Sequence, residues 1–178
     1  MYWGHSSIVE AELLCLSDLL NNNRSWHYAI NLAGSEMMTL TNKELVARLS
    51  PEPTRIHVSS FPFPAKMRWR VEQKYELREE AVFNPDAQFP HDQLMRMVEV
   101  VDPEYAPPPY NLTLFKGIKS YRLPRVFVEF LLTHPVAREF LDWTRNTVIA
   151  DEHTVQTLAR TGTSGTLHFN RFIFTQLC

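Results

Sequence analysis

Hydrophobic positions follow two rhythms along this chain, one helical and one strand-like. Val9, Leu13, Leu16 and Leu20 recur on one face, which predicts an amphipathic helix over 7–20. Ser7 and Glu10 stand at capping-box spacing at its start, each suited to satisfy a free helix N–H. A polar run over 21–25 ends it. Trp26, Tyr28, Ile30 and Leu32 then alternate with the period of a strand, and Gly34 closes it. Thr41 and Glu44 form a second capping box before a short helix carrying Leu45, Val46 and Leu49.

From 51 onward the rhythm weakens. Met67, Trp69 and Val71 alternate, so an edge strand with Arg68 in solvent fits the pattern. Acids and the prolines at 85, 90, 103, 107, 108 and 109 mark 78–110 as an irregular surface loop. A short strand begins at Leu114. Leu123-Pro124 opens a helix, since proline fits a first turn that needs no N–H, and Val126, Phe127, Phe130 and Leu131 give its apolar face. Pro135 interrupts and restarts it, with Val136, Phe140, Leu141 and Trp143 continuing the buried side. Asp151, Glu152 and His153 open a third helix whose Val155, Leu158 and Ala159 face inward. His168, Phe169, Phe172, Ile173 and Phe174 make an apolar end that reads as a strand or an exposed tail.

Composition narrows the classes. The 178 residues, 44% hydrophobic and 12% aromatic, suffice for one ordinary domain with a sizeable core. A net charge of −2 provides no basic field for nucleic acid. No apolar run reaches the roughly 18 residues of a membrane span, and the opening MYWGHSS has neither the basic nor the apolar region of a signal peptide. Cys15 and Cys178 are too few to set a redox compartment, and their pairing stays open. Histidines at 5, 27, 57, 91, 134, 153 and 168 form neither HExxH nor a Cys/His cluster, so no metal site is expected. A P-loop, a GxGxxG and an acidic DxD pair are all absent from the sequence. Asn23-Arg24-Ser25 and Asn111-Leu112-Thr113 are N-glycosylation patterns, meaningful only in a secretory compartment. The second abuts the strand at Leu114.

Two acids hold positions suited to chemistry. Asp151 and Glu152 sit where a helix starts, among free N–H groups and at the positive end of the dipole. Such a place suits a carboxylate that must accept a proton. Plain helix capping explains the same placement, with Asp151 the better cap. Glu36 follows the 26–32 strand in a strand, loop, helix order, near the edge where ligands bind in open α/β sheets. A solvated loop acid is the alternative there.

The order of these elements is specific. Trp3, Glu10, Leu13 and Cys15 are followed by Trp26, Tyr28, Ile30, Asn31, Leu32, Gly34 and Glu36, then by Thr41, Asn42, Val46 and Leu49. Further along come FxG at 115–117, RxFVxFLL at 125–132, EFLDW at 139–143 and DEHxxxTLAR at 151–160. This succession resembles the core 2/I-branching β-1,6-N-acetylglucosaminyltransferase family, which also contains peptide O-xylosyltransferases. The resemblance implies an α/β fold: a partial GT-A-like glycosyltransferase domain with a mixed sheet flanked by helices. Residues 1–160 would form its central and acceptor-side part and 161–178 a divergent tail. It implies inverting transfer of GlcNAc from UDP-GlcNAc to an O-glycan hydroxyl, without a metal or other cofactor. Glu152 would be the base, Arg68 and Trp69 would hold the acceptor, and Glu36 would lie beside the pocket. A complete parent would be a type II Golgi membrane protein. In relatives the cysteine matching Cys15 pairs with one further upstream.

Departures from the pattern are Ala150 for a usual Pro, Met37-Met38 for Phe-Pro, and the lack of a basic region after Arg160. The start already inside the family pattern and the foreign ending after Arg160 lead to the expectation that the chain alone does not catalyse transfer. Xylosyl transfer to a proteoglycan serine, or a non-catalytic fragment binding glycan or a partner transferase, are the other readings.

Overall fold

A computed structural model of the chain describes residues 3–22, 24–32, 34–78, 90–161 and 174–175. Helices α1 (Ser7–Asn21), α2 (Asn42–Leu49), α3 (Trp69–Glu72), α4 (Pro90–Met97), α5 (Arg125–Thr133), α6 (Pro135–Thr144) and α7 (Thr154–Thr161) flank short strands. The strands are β1 (Tyr28–Ile30), β2 (Ile56–Val58), β3 (Phe61–Pro62), β4 (Lys74–Leu77), β5 (Val98–Asp102), β6 (Phe115–Lys116), β7 (Tyr121–Pro124) and β8 (Phe174–Thr175). The main sheet runs β1-β7-β2-β8, antiparallel except that β8 lies parallel to β2. It is therefore a mixed sheet flanked by helices, as expected. Two small ribbons, β3-β6 and β4-β5, complete the strand pairing among the described residues.

The core lies between the main sheet and α5, α6 and α7. Ile56, Leu123, Phe127, Leu131, Phe140 and Leu158 are fully buried there. In α5, Val128 is buried while Val126 is exposed. Pro124 stays extended, as the last residue of β7 and the N-cap of α5, so the helix starts one residue later than expected. Pro135 restarts the helix as α6, and the His134 side chain accepts the Val136 N–H as its cap.

Several expectations change. The Thr41/Glu44 capping box forms as expected. At Ser7 it does not: Ser6 is the N-cap and makes no side-chain cap bond, while the Ser7 amide donates to His5 Nδ1 at 3.1 Å. Glu10 pairs instead with Arg145 at 3.5 Å. In β1 the residue buried in the core is Ala29, and Tyr28 turns away to donate to the carbonyls of Glu52 and Arg55. Of the alternating pattern, Tyr28 and Ile30 line a pocket beside α2, Trp26 packs against the core, and Leu32 is exposed. Met67 and Trp69 lie in helical turns, not an edge strand, because local bonds such as Arg68 N–H to Ala65 and Val71 N–H to Arg68 close them. The expected loop over 78–110 contains α4 and β5, the latter paired with β4. After β5, Pro103, Pro107, Pro108 and Pro109 impose irregular chain, while Pro85 lies outside the described residues. Finally, Asp151 and Glu152 form a 3-10 turn (Ala150–Glu152) ahead of α7, whose first residue is Thr154.

A candidate active site along residues 115–121

The strip from β6 to β7 organises the site. Its Phe115 N–H donates to Thr157 Oγ1 at 3.0 Å, and Gln156 Nε2 donates to the Ile118 carbonyl at 2.8 Å. Between them Gly117 N–H donates to the Glu152 carbonyl at 2.8 Å. Gly117 passes so close to β2 that a Cβ there would lie 1.8 Å from the Ser59 carbonyl oxygen. Only glycine permits this approach. The FxG motif therefore fixes the backbone of the turn that carries Glu152.

The Glu152 carboxylate is held by two cations. Lys116 Nζ lies 2.7 Å and Arg70 Nη1 2.9 Å from the same oxygen, Oε2. Both cationic side chains are 13% exposed and the glutamate 31%, so the cluster is half-sheltered. In such a place charge pairs matter more than at an open surface. Arg70 is aimed by its own surroundings: its carbonyl accepts the Val148 N–H at 3.1 Å, and its guanidinium lies 5.7 Å from the Trp69 ring. Trp69 in turn meets Tyr75 edge-on. Arg70 Nε is buried without a hydrogen-bond partner among the described residues. So are Asp151 Oδ1 and Gln156 Oε1.

The turn bearing Glu152 is strained at its entrance. Ile149 sits in the left-handed region, φ 57° and ψ 44°, an uncommon place for a β-branched residue. Such a conformation costs on the order of 1–3 kcal/mol and persists only where surroundings enforce it. Here the Ile149 N–H donates to the Gly4 carbonyl at 2.5 Å, and Gly4 itself has φ +75° with no room for a Cβ against Leu94.

Asp151 behaves unlike a helix cap. Burial pushes its carboxyl pKa up, partly opposed by Lys119 nearby. Its own backbone N–H offsets part of that charge, and α7 begins only at Thr154. His153 is fully buried with Nε2 3.0 Å from Thr147 Oγ1, and burial pushes it down to about 3. Next to this turn, Lys119 pairs with Glu12 at 2.9 Å. Glu12 also accepts from Asn31 Nδ2 at 2.7 Å and from the Tyr121 hydroxyl at 3.2 Å. Burial, with Glu12 beside it, raises the Tyr121 phenol well above its ordinary value.

The sequence-derived residues are only partly united. Glu36 is exposed but joined to the strip, accepting from Ser120 Oγ at 2.8 Å. Trp69 lies beside Arg70, the cation that pairs with Glu152. Arg68 does not join them. Two residues along α3 turn the chain by roughly 200°, and Arg68 stands exposed on the far face, paired with Glu72 at 3.4 Å. There it lines a groove of about 440 Å³ with Phe63, Tyr105 and Asn111. Arg70, Lys116, Lys119 and Glu12 were not singled out by sequence pattern. Lys116, the middle residue of FxG, was the available signal. Cys15 is a free, exposed thiol. Asn23, Cys178 and the 168–173 segment lie outside the described residues, and Phe174 contributes to β8. Among the described residues no helix is long and apolar enough to cross a membrane.

Comparison with known proteins agrees with the motif order. Residues 1–175 match the family model for "Core-2/I-Branching enzyme", past Arg160 where the motifs end. The mouse protein "Beta-1,3-galactosyl-O-glycosyl-glycoprotein beta-1,6-N-acetylglucosaminyltransferase 4" is 30% identical over 158 residues, which is 89% of this chain and 32% of that protein. Its Danio rerio counterpart is 30% identical over 159 residues, 89% of this chain and 35% of that protein. A Rattus norvegicus enzyme of the same name, numbered 3, is 30% identical over 86% of this chain and 31% of its own length. The chain thus spans about a third of the length of these curated relatives.

Proposed function

Because this chain belongs to the Core-2/I-Branching enzyme family, we propose that it supplies the acceptor-side part of a GT-A-like glycosyltransferase with Glu152 as general base. The reaction is transfer of GlcNAc from UDP-GlcNAc to a hydroxyl of an O-glycan, with inversion at the anomeric carbon. The observation that carries this reading is the convergence of Lys116 Nζ and Arg70 Nη1 on Oε2 of Glu152. Both contacts fall on one oxygen, which leaves Oε1 to receive the proton of an incoming hydroxyl. That hydroxyl oxygen forms the new bond to C1 as the C1–O bond to the diphosphate breaks, and UDP departs. A fixed carboxylate contributes roughly 10²–10⁴-fold as a base, provided acceptor and leaving group are held in line.

Lys116 and Arg70 are positioning residues in this reading. They hold the carboxylate still, while the strained Ile149 turn and the Gly117 approach hold its backbone. Trp69 and Glu36, on either side of the strip, are the proposed acceptor contacts. Arg70 replaces Arg68 as the cation of that side, since Arg68 faces away. Lys and Arg side chains, with no metal, neutralise charge in the reaction. For the complete protein we propose a Golgi membrane location.

The test, made on a chain extended at both ends, is transfer to a core 1 disaccharide or a serine peptide with UDP-GlcNAc or UDP-xylose supplied separately, followed by NMR of the product linkage. GlcNAc joined by a β-1,6 bond is the expected product. Xylose transfer to a serine peptide in its place would refute the donor and acceptor proposed here.

A further inference from the structure

We propose that Asn111 carries an N-linked glycan whose first sugars seat in the groove beside it. The groove has a volume of about 440 Å³ and is lined by Phe63, Arg68, Tyr105, Asn111 and Thr113 among others. That volume falls in the range of small-molecule sites, roughly 300–1,000 Å³. Its lining suits a pyranose, which pairs an apolar ring face with a rim of hydroxyls. Phe63, Tyr105, Pro107 and Pro108 offer apolar wall, and Arg68, Glu72 and Thr113 offer polar groups at its edge. Tyr105 is rigid, with its ring stacked on Trp143 at 7° and its hydroxyl donating to the Trp143 carbonyl. A rigid aromatic loses little freedom on contact.

The occupant is set by the sequence. Asn111 and Thr113 are the first and third residues of the Asn-Leu-Thr acceptor pattern, and both line this groove. Asn111 is exposed and sits in the left-handed region, φ 51°, at the end of a 3-10 turn (Pro109–Asn111). The strand that follows starts only at Phe115. A sugar attached there is tethered at the lip. Its effective concentration at the groove is on the order of millimolar, enough to populate a contact far too weak to form from solution. In the attachment step, Asn111 Nδ2 bonds to C1 of a lipid-diphosphate-linked oligosaccharide. The C1–O bond to the lipid diphosphate breaks, and the amide proton leaves with the released diphosphate.

The inference rests on the secretory location of the functional reading and on nothing else in it. The test expresses the chain behind a cleavable secretory signal, with an Asn-Gly-Thr tag at its C-terminus as a control acceptor. Mass spectrometry reads occupancy at Asn111. Hydrogen exchange then compares the amides of 105–114 in the glycosylated chain, in Asn111→Gln and in glycosylated Arg68→Ala. We expect an occupied Asn111 and exchange slowed roughly twofold or more, the effect of a ligand held near its own dissociation constant. Asn111→Gln and Arg68→Ala should both lose that protection. A modified tag beside an unmodified Asn111, or equal exchange in all three proteins, overturns the proposal. Neither readout uses transfer activity, so failure of the catalytic reading leaves this result intact.

Discussion

Substituting Gly117 by alanine tests how the site is held together. The added Cβ would fall 1.8 Å from the Ser59 carbonyl oxygen, 2.6 Å from its carbon and 3.0 Å from Gln156 Cγ. Two of these three atoms are backbone of the chain leaving β2, so no side chain can swing away to relieve the clash. The strip must retreat by well over an ångström. Overpacking of this kind costs about 1–3 kcal/mol. The retreat also stretches the Gly117 N–H bond to the Glu152 carbonyl, worth about 1 kcal/mol. Gly117→Ala should therefore destabilise the fold by about 3 kcal/mol, and for a chain of this size lower the melting temperature by roughly 6–12 °C. Urea denaturation with a fluorescence readout measures it. Gly34→Ala is the matched control, because nothing lies within 4 Å of a Cβ at Gly34, and it should stay within about 0.5 kcal/mol of the parent. A Gly117→Ala protein as stable as Gly34→Ala would refute the close approach.

Other outcomes follow from the same geometry. His153 has its folded value held down to about 3 by burial, against an ordinary 6.5. Its contribution is thus complete above pH 6.5 and lost as pH falls toward 3, about 2 kcal/mol by pH 5. His5 and His57 shift the same way, so urea midpoints should fall between pH 7 and 5, and His153→Gln should flatten part of that fall. Asp151→Asn should raise stability at neutral pH by about 1 kcal/mol, because it removes a charge whose buried Oδ1 has no partner. A loss of stability in the same urea titration would restore the capping role. Lys116→Met should lower turnover while Lys116→Arg retains most of it, since a cation within reach of Oε2 is what the position provides. Arg68→Ala should leave turnover unchanged, in contrast to Arg70→Ala, and parallel kinetics of the two would show it.

Much of the fold was legible because apolar spacing reports burial directly. Phe127, Phe130, Phe140 and Leu158 fell on the faces that bury them. The sequence misled where the signal was local but the outcome depended on neighbours. Met67, Trp69 and Val71 alternate, yet backbone hydrogen bonds across two residues or three wind them into helical turns. In β1 the core side takes Ala29 while Tyr28 and Ile30 face a pocket beside α2, so alternation within the strand marked the half-buried side. Proline density hid α4 and β5, whose pairing with β4 is a long-range event that no window reveals. At the candidate site, motif position pointed to Glu152 and Glu36, which the structure places on the 152 turn and against Ser120. Arg70 and Lys116 were not, because an ion pair spanning 70 to 152 has no spacing rule. The Gly117 approach was visible as a motif glycine, but its reason, the Ser59 carbonyl, lies far off in sequence on the chain leaving β2.

The central claim is that Glu152, held by Lys116 and Arg70, takes the acceptor proton. It is tested most directly by single-turnover transfer of GlcNAc to a core 1 disaccharide by a chain extended at both ends, comparing that parent, Glu152→Gln and Asp151→Asn. Equilibrium binding of UDP-GlcNAc and urea stability are measured on the same preparations. The account predicts that Glu152→Gln keeps its fold and donor affinity and loses roughly 10²-fold or more in rate, while Asp151→Asn stays far closer to the parent. Equal rates for Glu152→Gln and the parent would contradict it, and so would a loss confined to Asp151→Asn.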